Sequence, residues 1–404
     1  MSVWRDVARR YGFAEYDGPP LEPLDLYTRK SGDEIVGQLY NFTDKGGREV
    51  ALRPEMTPTL ARMVAAKANA MRKPIRWYSV PQLFRYERQQ KGRLREHFQL
   101  NADIIGESSA AADAELLALA IDVMRAVGLT AGDVRARVSD RQLLTAILKD
   151  VGVKPAETPA VFAAIDKIGR EPRDVTLEKV DKAVSGDKAR QGVARVLERS
   201  GDLNALAAEF RASPDVMEEI TRMREYLNFL DALGVGEWVD FDLSIVRGLA
   251  YYTGKVFELF DAKGEFRAIC GGGRYDGLLK AIGGVDLPAL GFGMGDVVLT
   301  ELLRSRNLLP APEFGTDYWV AADDESMLPE VMTVAGRLRA KSRSVEYALK
   351  SQSLARQLKT ASTAGARKVV LLRRDDFANG KVTVKTLADG SEQSVALDTL
   401  LNAL

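Results

Sequence analysis

The spacing of apolar residues changes abruptly in the middle of this 404-residue chain. From Met1 to about residue 148, short apolar runs such as IRWYSV (75–80) alternate with stretches of helical spacing such as 110–128. From 149 to 232 the spacing is helical throughout, and strand-like runs return at 238–246 and 251–260. The sequence therefore predicts a mixed α/β (α+β) region whose sheet is interrupted by an all-helical insertion.

A second region follows the stretch LLPAPEFGTD, which has the proline and glycine content of a linker. Beyond it, the pattern predicts strands at 317–323, 344–349, 368–374 and 381–387, helices at 328–342 and 353–365, and a closing helix from 395. Such alternation predicts a small, mostly parallel sheet covered by helices. We therefore expect domains at 1–315, with the insertion at 149–232, and at 316–404.

Composition restricts the classes of function. The 57 basic residues equal the 57 acidic ones, so an anionic partner must be bound by a local cluster of charges. With one cysteine, the chain can form no internal disulfide. With one cysteine and one histidine, it lacks the ligands of a usual zinc site, so no protein-held metal is expected. Without a signal-peptide pattern or an apolar run of 18 residues, we expect a cytoplasmic protein with no membrane partner.

The most charged local feature is FRYERQQKGRLREHFQL, residues 84–100. It reads as a hairpin that turns at QKG, with Arg85 and Glu87 on one face of its first strand. Its five cations are Arg85, Arg88, Lys91, Arg93 and Arg95. A solvated charged hairpin is the simplest interpretation, but cations this close repel one another unless an anion lies between them. Phosphate is the partner that fits.

Three other segments carry polar residues beside structural signals. Glu55, in ALRPEMTPTLARM, either stabilises the first turn of a helix or accepts hydrogen bonds from an ammonium group. Tyr251 and Tyr252 face opposite sides if extended, so one belongs to the core and the other can reach a pocket. CGGGRYDGL permits close approach of a ligand or another strand to the backbone, and it is neither a P-loop nor a dinucleotide motif. LGFGMG runs from a strand into a helix, a form that lets a nucleotide lie against the backbone.

Together these segments, in this order, resemble the class II histidyl-tRNA synthetases over nearly the whole chain. RGLAYYTG and GGGRYDGL are the most discriminating, because they match the two motifs peculiar to the histidine branch. The resemblance implies a class II catalytic domain with an antiparallel sheet, a helical insertion and a C-terminal anticodon-binding domain. It also implies ATP and Mg²⁺ as cofactors, histidine and tRNA(His) as substrates, and a homodimer, because PLEPLDLY is similar to the first class II motif.

The resemblance assigns roles by position. Arg85 and Arg247 match two arginines that contact the α-phosphate of ATP, so they are the expected catalytic residues. Histidine is expected at Glu55, Thr57, Gln99, Asp103, Tyr251, Tyr252 and Tyr275. ATP is expected at Arg85, Glu87, Arg93, Arg95, His97, Phe98 and Arg247.

Three positions depart from the family pattern. Where the third motif has Gly-Leu-Glu-Arg, this chain has Gly295, Asp296, Val297 and Val298, and the adenine-contacting arginine is absent. His97 followed by Phe98 stands where the adenine-stacking phenylalanine is expected, and Ala250 replaces an aspartate. His97 can itself stack on adenine. Arg267, Arg274 or a cation of the 84–100 hairpin can hold the terminal phosphate.

Two functions agree with these features. One is an active histidine–tRNA ligase. The other is a non-catalytic histidine-binding paralogue, such as the regulatory subunit of ATP phosphoribosyltransferase. The two expected phosphate-binding arginines and the C-terminal domain favour the enzyme, because a histidine sensor needs neither.

Overall fold

The computed structural model describes residues 1–28, 37–87, 94–168, 172–246, 251–310 and 315–403. The helices are α1 Ser2–Arg10, α2 Asp25–Thr28, α3 Thr57–Ala65, α4 Ala110–Ala126, α5 Arg141–Asp150, α6 Thr158–Ile165, α7 Arg173–Ala183, α8 Asp187–Glu198, α9 Leu203–Glu209, α10 Pro214–Ala232, α11 Leu278–Gly283, α12 Asp296–Ser305, α13 Leu328–Ala340, α14 Leu354–Thr363, α15 Arg374–Ala378 and α16 Leu397–Asn402. The strands are β1 Ala14–Glu15, β2 Leu21–Pro23, β3 Asn41–Thr43, β4 Glu49–Leu52, β5 Ile75–Ser79, β6 Gln82–Phe84, β7 Glu96–Ile105, β8 Val134–Asp140, β9 Val239–Phe241, β10 Lys255–Asp261, β11 Cys270–Arg274, β12 Ala289–Gly295, β13 Tyr318–Ala322, β14 Val345–Tyr347, β15 Lys368–Leu372, β16 Lys381–Thr386 and β17 Glu392–Ala396.

The largest sheet runs in the order β1-β5-β7-β12-β11-β10-β8-β9, with β6 also paired to β7. Its described pairings are antiparallel except for β1 with β5 and β8 with β9. A separate small sheet has the order β2-β4-β3. The antiparallel sheet expected from the sequence is thereby confirmed.

The two faces of the large sheet differ in chemistry because side chains alternate along each strand. Leu100, Ala102 and Ile104 of β7 point to one face and are buried in the main apolar core together with α4. The other face carries the odd-numbered residues of β7, from His97 to Asp103, and is polar. This second face contains the candidate site.

Between β8 and β9 the described residues form helices α5 to α10. Strand structure then returns over shorter stretches than predicted, since β9 ends at Phe241 and β10 begins only at Lys255. Tyr251 and Tyr252 therefore precede the strand instead of alternating along it. Their rings pack on each other, and the ring of Tyr251 also packs on that of Tyr275.

The chain divides into two compact units, Met1–Leu309 and Pro310–Leu404. The second contains a sheet of order β14-β13-β15-β16-β17. Pairings of β13 with β14 and β15 are parallel, but β15 with β16 and β16 with β17 are antiparallel, so the sheet is mixed and not mostly parallel.

The difference arises in the segment after β16. The turn before β17 places Gly390 at φ +73°, which glycine adopts without strain, and β17 then pairs antiparallel with β16. The sequence predicts the closing helix from 395, but β17 extends to Ala396 and the helix begins at Leu397. Over the described residues, no helix is both long and apolar enough to cross a membrane.

Candidate active site

The floor of the site is polypeptide backbone. Gly291 and Gly293 of β12 lie beside Asp103 and Asn101 of β7 in the sheet register. A methyl group added to Gly291 would lie 1.9 Å from Oδ1 of Asp103, and one added to Gly293 would lie 2.7 Å from Oε1 of Gln99. The two glycines therefore leave the space in which the Asp103 and Gln99 side chains lie across β12.

A carboxyl group and a phenol meet above this floor. Tyr275, the residue after β11, donates its hydroxyl proton to Oδ1 of Asp103, and each residue is 2% exposed. Burial raises the pKa of Asp103 to about 7, although the bond from Tyr275 acts to lower it. Burial, followed by the charge of Asp103, raises the pKa of Tyr275 well above its usual value, so the phenol remains a donor.

A second carboxylate–phenol pair adjoins the first. The hydroxyl of Tyr251 donates to Oε2 of Glu55 at 3.0 Å, and Glu55 is 5% exposed. Burial and then the charge of Glu55 raise the pKa of Tyr251, against a lowering hydrogen bond with Thr57. The rings of Tyr251 and Tyr275 lie edge to face with centroids 5.8 Å apart, so the two pairs form one continuous row.

Glu55 is placed in this row by the loop between β4 and α3. The adjacent Arg53 is 5% exposed and its guanidinium donates to the carbonyl oxygens of Gly18, at 2.7 Å, and Gln82, at 3.0 Å. These bonds tie the loop to two separate segments of the unit, so the Glu55 backbone has little freedom to shift.

The two tyrosines that the sequence left as alternatives have different surroundings. Tyr252 is 6% exposed and belongs to an apolar cluster with Ile245 and Val256. Tyr251, in contrast, reaches Glu55 with its hydroxyl group. Tyr251 is therefore the member of the pair that joins the polar row.

Arg85 lies next to the Glu55 loop. β6 ends at Phe84, so Arg85 and Glu87 follow the strand and do not share one of its faces as predicted. The Nε of Arg85 donates to the carbonyl oxygen of Pro54 at 2.9 Å. A guanidinium has five N–H donors, and this bond uses one of them. Among the described residues, Arg85 therefore has donors that can bind an anionic ligand.

His97 lies on the same face of β7 as Gln99 and Asp103. Burial, together with the positive charge of Arg85, lowers the pKa of His97 to about 4, so the ring is neutral at neutral pH. A neutral planar ring beside a guanidinium suits an aromatic base carrying phosphates. Phe98 points to the opposite face and packs against the main core, so the structure does not bring it into the site.

Other residues of the 84–100 segment are only partly described. The guanidinium of Arg95 lies 4.5 Å from the centre of the Tyr86 ring, and its Nε donates to the carbonyl oxygen of Glu87 at 3.4 Å. Glu87 is 9% exposed. Predictions for Arg88, Lys91, Arg93, Arg247 and Ala250, and for the QKG turn, fall outside the described residues.

The proposed phosphate role for Arg274 is wrong. Arg274 projects from the apolar face of β11, is 6% exposed, and contacts Asp113 of α4 through Nε and Nη2, each at 3.1 Å. Its Nη1 donates to the carbonyl oxygen of Glu107 at 3.0 Å. A guanidinium enclosed in this way supports the turn that carries Tyr275. Arg267 is exposed and remains a candidate.

Sequence reasoning missed two polar residues on the site face. Asn101 is 4% exposed and Glu258 of β10 is 6% exposed. Register places both on this face, since Glu258 pairs with Gly271, Gly271 with Gly293, and Gly293 with Asn101. Counting back by two from Asp103 would have found Asn101, whereas Glu258 required the strand order.

Val298, which stands where the family pattern has an arginine, is an apolar residue at the edge of the main core. It lies in the first turn of α12 and packs against the main core. The neighbouring Asp296 is half-buried, and burial raises its pKa. Neither side chain supplies the cation that the family pattern has here.

The row has an acidic residue at each end, and Arg85 beside it has a side chain that can bind phosphate. Glu55 can accept bonds from an ammonium group, while Asp103 and Tyr275 can contact a polar ring. Arg85 lies beside the Glu55 loop, and His97 lies on the same face of β7 as Asp103. The arrangement suits the joining of an amino acid to a nucleoside phosphate.

Comparison with known proteins agrees with this chemistry. A family model described as histidyl-tRNA synthetase matches residues 2–296, and one described as anticodon binding domain matches 317–404. The curated histidine–tRNA ligase of Opitutus terrae is 43% identical over 397 residues, covering 97% of this chain and 90% of that protein. The chloroplastic/mitochondrial histidine–tRNA ligase of Arabidopsis thaliana is 41% identical over 399 residues, covering 98% and 81%.

The fold has a solved counterpart. The crystal structure of histidyl-tRNA synthetase from Nostoc sp. PCC 7120 superposes with a TM-score of 0.83 at 23% identity, covering 100% of this chain and 93% of that one. At that identity the likeness concerns the fold alone. Together with the two family models and the two ligases that are more than 40% identical over almost all of the chain, it leads to one conclusion: the chain belongs to the histidyl-tRNA synthetase family.

Proposed function

We propose that this protein is an ATP-dependent histidine–tRNA ligase. It joins histidine to ATP, giving histidyl adenylate and pyrophosphate, and then transfers the histidyl group to the 3′ end of tRNA(His). The observation that carries the proposal is the linked pair of contacts Tyr251–Glu55 and Tyr275–Asp103 on a glycine floor next to Arg85.

The row of carboxylates and phenols is the histidine pocket. Glu55, with Thr57 beside it, accepts hydrogen bonds from the α-ammonium group, and Gln99 lies across Gly293 where it can bind the carboxylate end. Asp103 and Tyr275 select the imidazole ring, because a ring with two polar nitrogens needs an acceptor and a donor. Tyr252 supports Tyr251 through ring contact at 5.2 Å.

Arg85 and His97 form the described part of the ATP site. A carboxylate oxygen of histidine attacks the α-phosphorus, and the bond from that phosphorus to the β-bridging oxygen breaks, releasing pyrophosphate. Arg85, with Arg247 by resemblance, stabilises the negative charge that builds on the α-phosphoryl oxygens. His97 stacks on adenine, and Glu87, Arg93 and Arg95 complete the assignment made by resemblance.

Mg²⁺ enters with ATP in this proposal. Within the described residues no cluster of three metal-binding side chains occurs. In proteins Mg²⁺ is usually held mainly by phosphate oxygens and water. When bound, the ion neutralises charge on the pyrophosphate.

The remaining assignments follow the family. Residues 1–315 form the catalytic domain, with the insertion at 149–232, and residues 316–404 bind the anticodon. We further propose a cytoplasmic homodimer. The regulatory-subunit alternative is not favoured, because an anticodon-binding model matches 317–404 and the named relatives are ligases.

The proposal is tested by exchange of labelled pyrophosphate into ATP. We expect exchange with purified protein only when histidine and Mg²⁺ are present, and we expect Arg85→Gln to reduce it strongly. Lack of exchange by the unaltered protein at saturating histidine would refute the enzymatic role. Calorimetric binding of histidine without exchange would then support the sensor instead.

A further inference from the structure

Tyr16 lies on the face of the large sheet that carries the candidate site. β1 runs parallel to β5 with Glu15 beside Tyr78, and the N–H of Tyr16 continues this pairing by donating to the carbonyl oxygen of Tyr78 at 2.9 Å. Tyr78 belongs to the main core, and its hydroxyl group donates to Oε2 of Glu15 at 2.9 Å, so these two side chains lie on the core side of the sheet. Because successive side chains alternate, Tyr16 points to the opposite face, which also carries Asp103.

The ring of Tyr16 is connected to the polar row through Trp77. The two rings are stacked, with centroids 5.2 Å and planes 25° apart. Trp77 in turn is the register neighbour of Asp103 across β5 and β7. Tyr16 and Trp77 also pack against the apolar cluster that contains Tyr275. The Tyr16 ring therefore lies at the end of the row where the imidazole ring is proposed to bind.

The hydroxyl group of Tyr16 is buried and has no hydrogen-bond partner among the described residues. Ser79, which is 1% exposed, lies close enough to lower the pKa of Tyr16, but neither hydroxyl group makes a hydrogen bond within that part of the chain. Burial, and then the negative charge of Asp103, raise the pKa of Tyr16 well above its ordinary value, so the phenol keeps its proton. A buried donor without an acceptor is costly, and a ligand that supplies the acceptor removes that cost.

The backbone beside Tyr16 is tied to the loop that carries Glu55. Oδ1 of Asp17 and the carbonyl oxygen of Gly18 accept from Nη1 of Arg53, at 3.0 and 2.7 Å. Arg53 is two positions before Glu55 in the chain. The segment that carries the third phenol is therefore held by the same guanidinium as the carboxylate at the other end of the row.

The two residues assigned to the imidazole ring provide one hydrogen-bond donor too few. A neutral imidazole has one N–H donor and one acceptor nitrogen. The ring N–H can donate to Asp103, which is ionised above its pKa of about 7 and then only accepts. Tyr275 has a single hydroxyl proton, which it donates to Asp103. If Tyr275 kept that bond the acceptor nitrogen would have no donor, and if it turned to the nitrogen Asp103 would lose one.

We propose that Tyr16 is a further histidine-binding residue: its hydroxyl group supplies the second phenol proton to the cluster that Asp103 forms with the imidazole ring. This inference deepens the proposed function and rests on it. No residue assigned to ATP is among the described contacts of Tyr16. Removing its hydroxyl group should therefore weaken the binding of histidine and leave that of ATP unchanged.

The test compares Tyr16→Phe with the matched control Tyr78→Phe. Both variants lose one phenol oxygen, but that of Tyr78 lies on the core side and bonds Glu15. Pyrophosphate exchange at about pH 8, where Asp103 is ionised, gives the KM for histidine and for ATP separately. We expect Tyr16→Phe to raise the histidine KM about fivefold or more, the effect of leaving one polar group unpaired, with the ATP KM changed less than about twofold. Tyr78→Phe should change neither KM by more than about twofold.

The melting temperature separates ligand binding from a structural role. A hydroxyl group that is buried without a partner costs free energy in the folded state, so Tyr16→Phe should melt at or above the temperature of the unaltered protein. A fall in melting temperature together with equal rises in both KM values would assign Tyr16 to the structure and overturn the inference.

A second variant keeps the test decisive if Tyr16→Phe does not fold. Tyr16→Met removes the same hydroxyl group, keeps an apolar side chain, and should raise the histidine KM in the same direction. A histidine KM within about twofold of the unaltered protein in either folded variant would also overturn the inference. Absence of exchange by the unaltered protein would instead refute the proposed function, and the inference with it.

Discussion

The substitution Gly291→Ala should damage histidine binding although it replaces none of the residues assigned to the ligand. The added methyl carbon would lie 1.9 Å from Oδ1 and 2.7 Å from Cγ of Asp103. Carbon and oxygen atoms in contact stay more than about 3 Å apart, so the carboxyl group must move by roughly 1 Å. A displacement of that size exceeds the tolerance of the hydrogen bond from Tyr275.

The size of the effect follows from the contact between Asp103 and the histidine ring, which the displaced carboxyl group no longer makes. A hydrogen bond that involves an ionised partner contributes about 1.5 to 3 kcal/mol, which corresponds to roughly a 10- to 100-fold rise in the histidine KM. The ATP KM should change little, because Arg85 and His97 do not contact Gly291. Gly291 does not adopt a positive φ, so alanine there imposes no backbone strain.

Gly277→Ala is the matched control. Gly277 follows the same Arg-Tyr-Asp segment, but a methyl group there would meet nothing within 4 Å. Histidine and ATP KM values from pyrophosphate exchange, with melting temperatures for both variants, separate a local effect from general loss of structure. If Gly291→Ala melts normally and its histidine KM equals that of Gly277→Ala, the assigned Asp103–Tyr275 pocket is refuted.

Three further predictions address individual side chains. Burial raises the pKa of Asp103 to about 7. The stability that the protonated Asp103 contributes is therefore present below about pH 4 and is lost as pH rises towards 7. Asp103→Asn should flatten the pH dependence of the free energy of unfolding, measured with urea, over that range. His97→Ala should raise the ATP KM about 5- to 100-fold by loss of stacking while His97→Phe should not, and equal ATP KM values in the two variants would contradict the stacking role. Arg274→Met leaves Asp113 buried without its partner and should lower the free energy of unfolding by about 3 to 5 kcal/mol, measured by denaturant titration; an unchanged midpoint would show that the pair is dispensable.

Much of the architecture could be predicted from local sequence. Apolar periodicity located β7, α4, β12 and α12, because each of these elements buries one face and leaves the pattern of that face in the chain. The pattern failed where packing is irregular. β17 has four exposed residues among its five, so it leaves no apolar alternation to detect, and the antiparallel half of the C-terminal sheet was missed.

The candidate site depended more on tertiary contacts. Residue types and motif order pointed to Glu55, Asp103 and Tyr275 through resemblance to a family. The choice of Tyr251 over Tyr252 as the phenol of the polar row came from a contact with Glu55 across 196 positions in the chain. Arg274 next to Tyr275 looked like a phosphate ligand, yet strand alternation directs it to the opposite face.

Motifs and periodicities are properties of neighbouring positions, so the family, the order of the elements and the chemistry of the available residues could be inferred from the amino-acid sequence. Which side chains meet depends on strand pairing and could be seen only in the folded chain. Asp103 and Tyr275 are 172 positions apart and are brought together by pairing of β7 with β12 and of β12 with β11. The same pairing explains why residue 291 must be glycine. The side chain of Asp103, from another strand, fills the space that a side chain at position 291 would occupy.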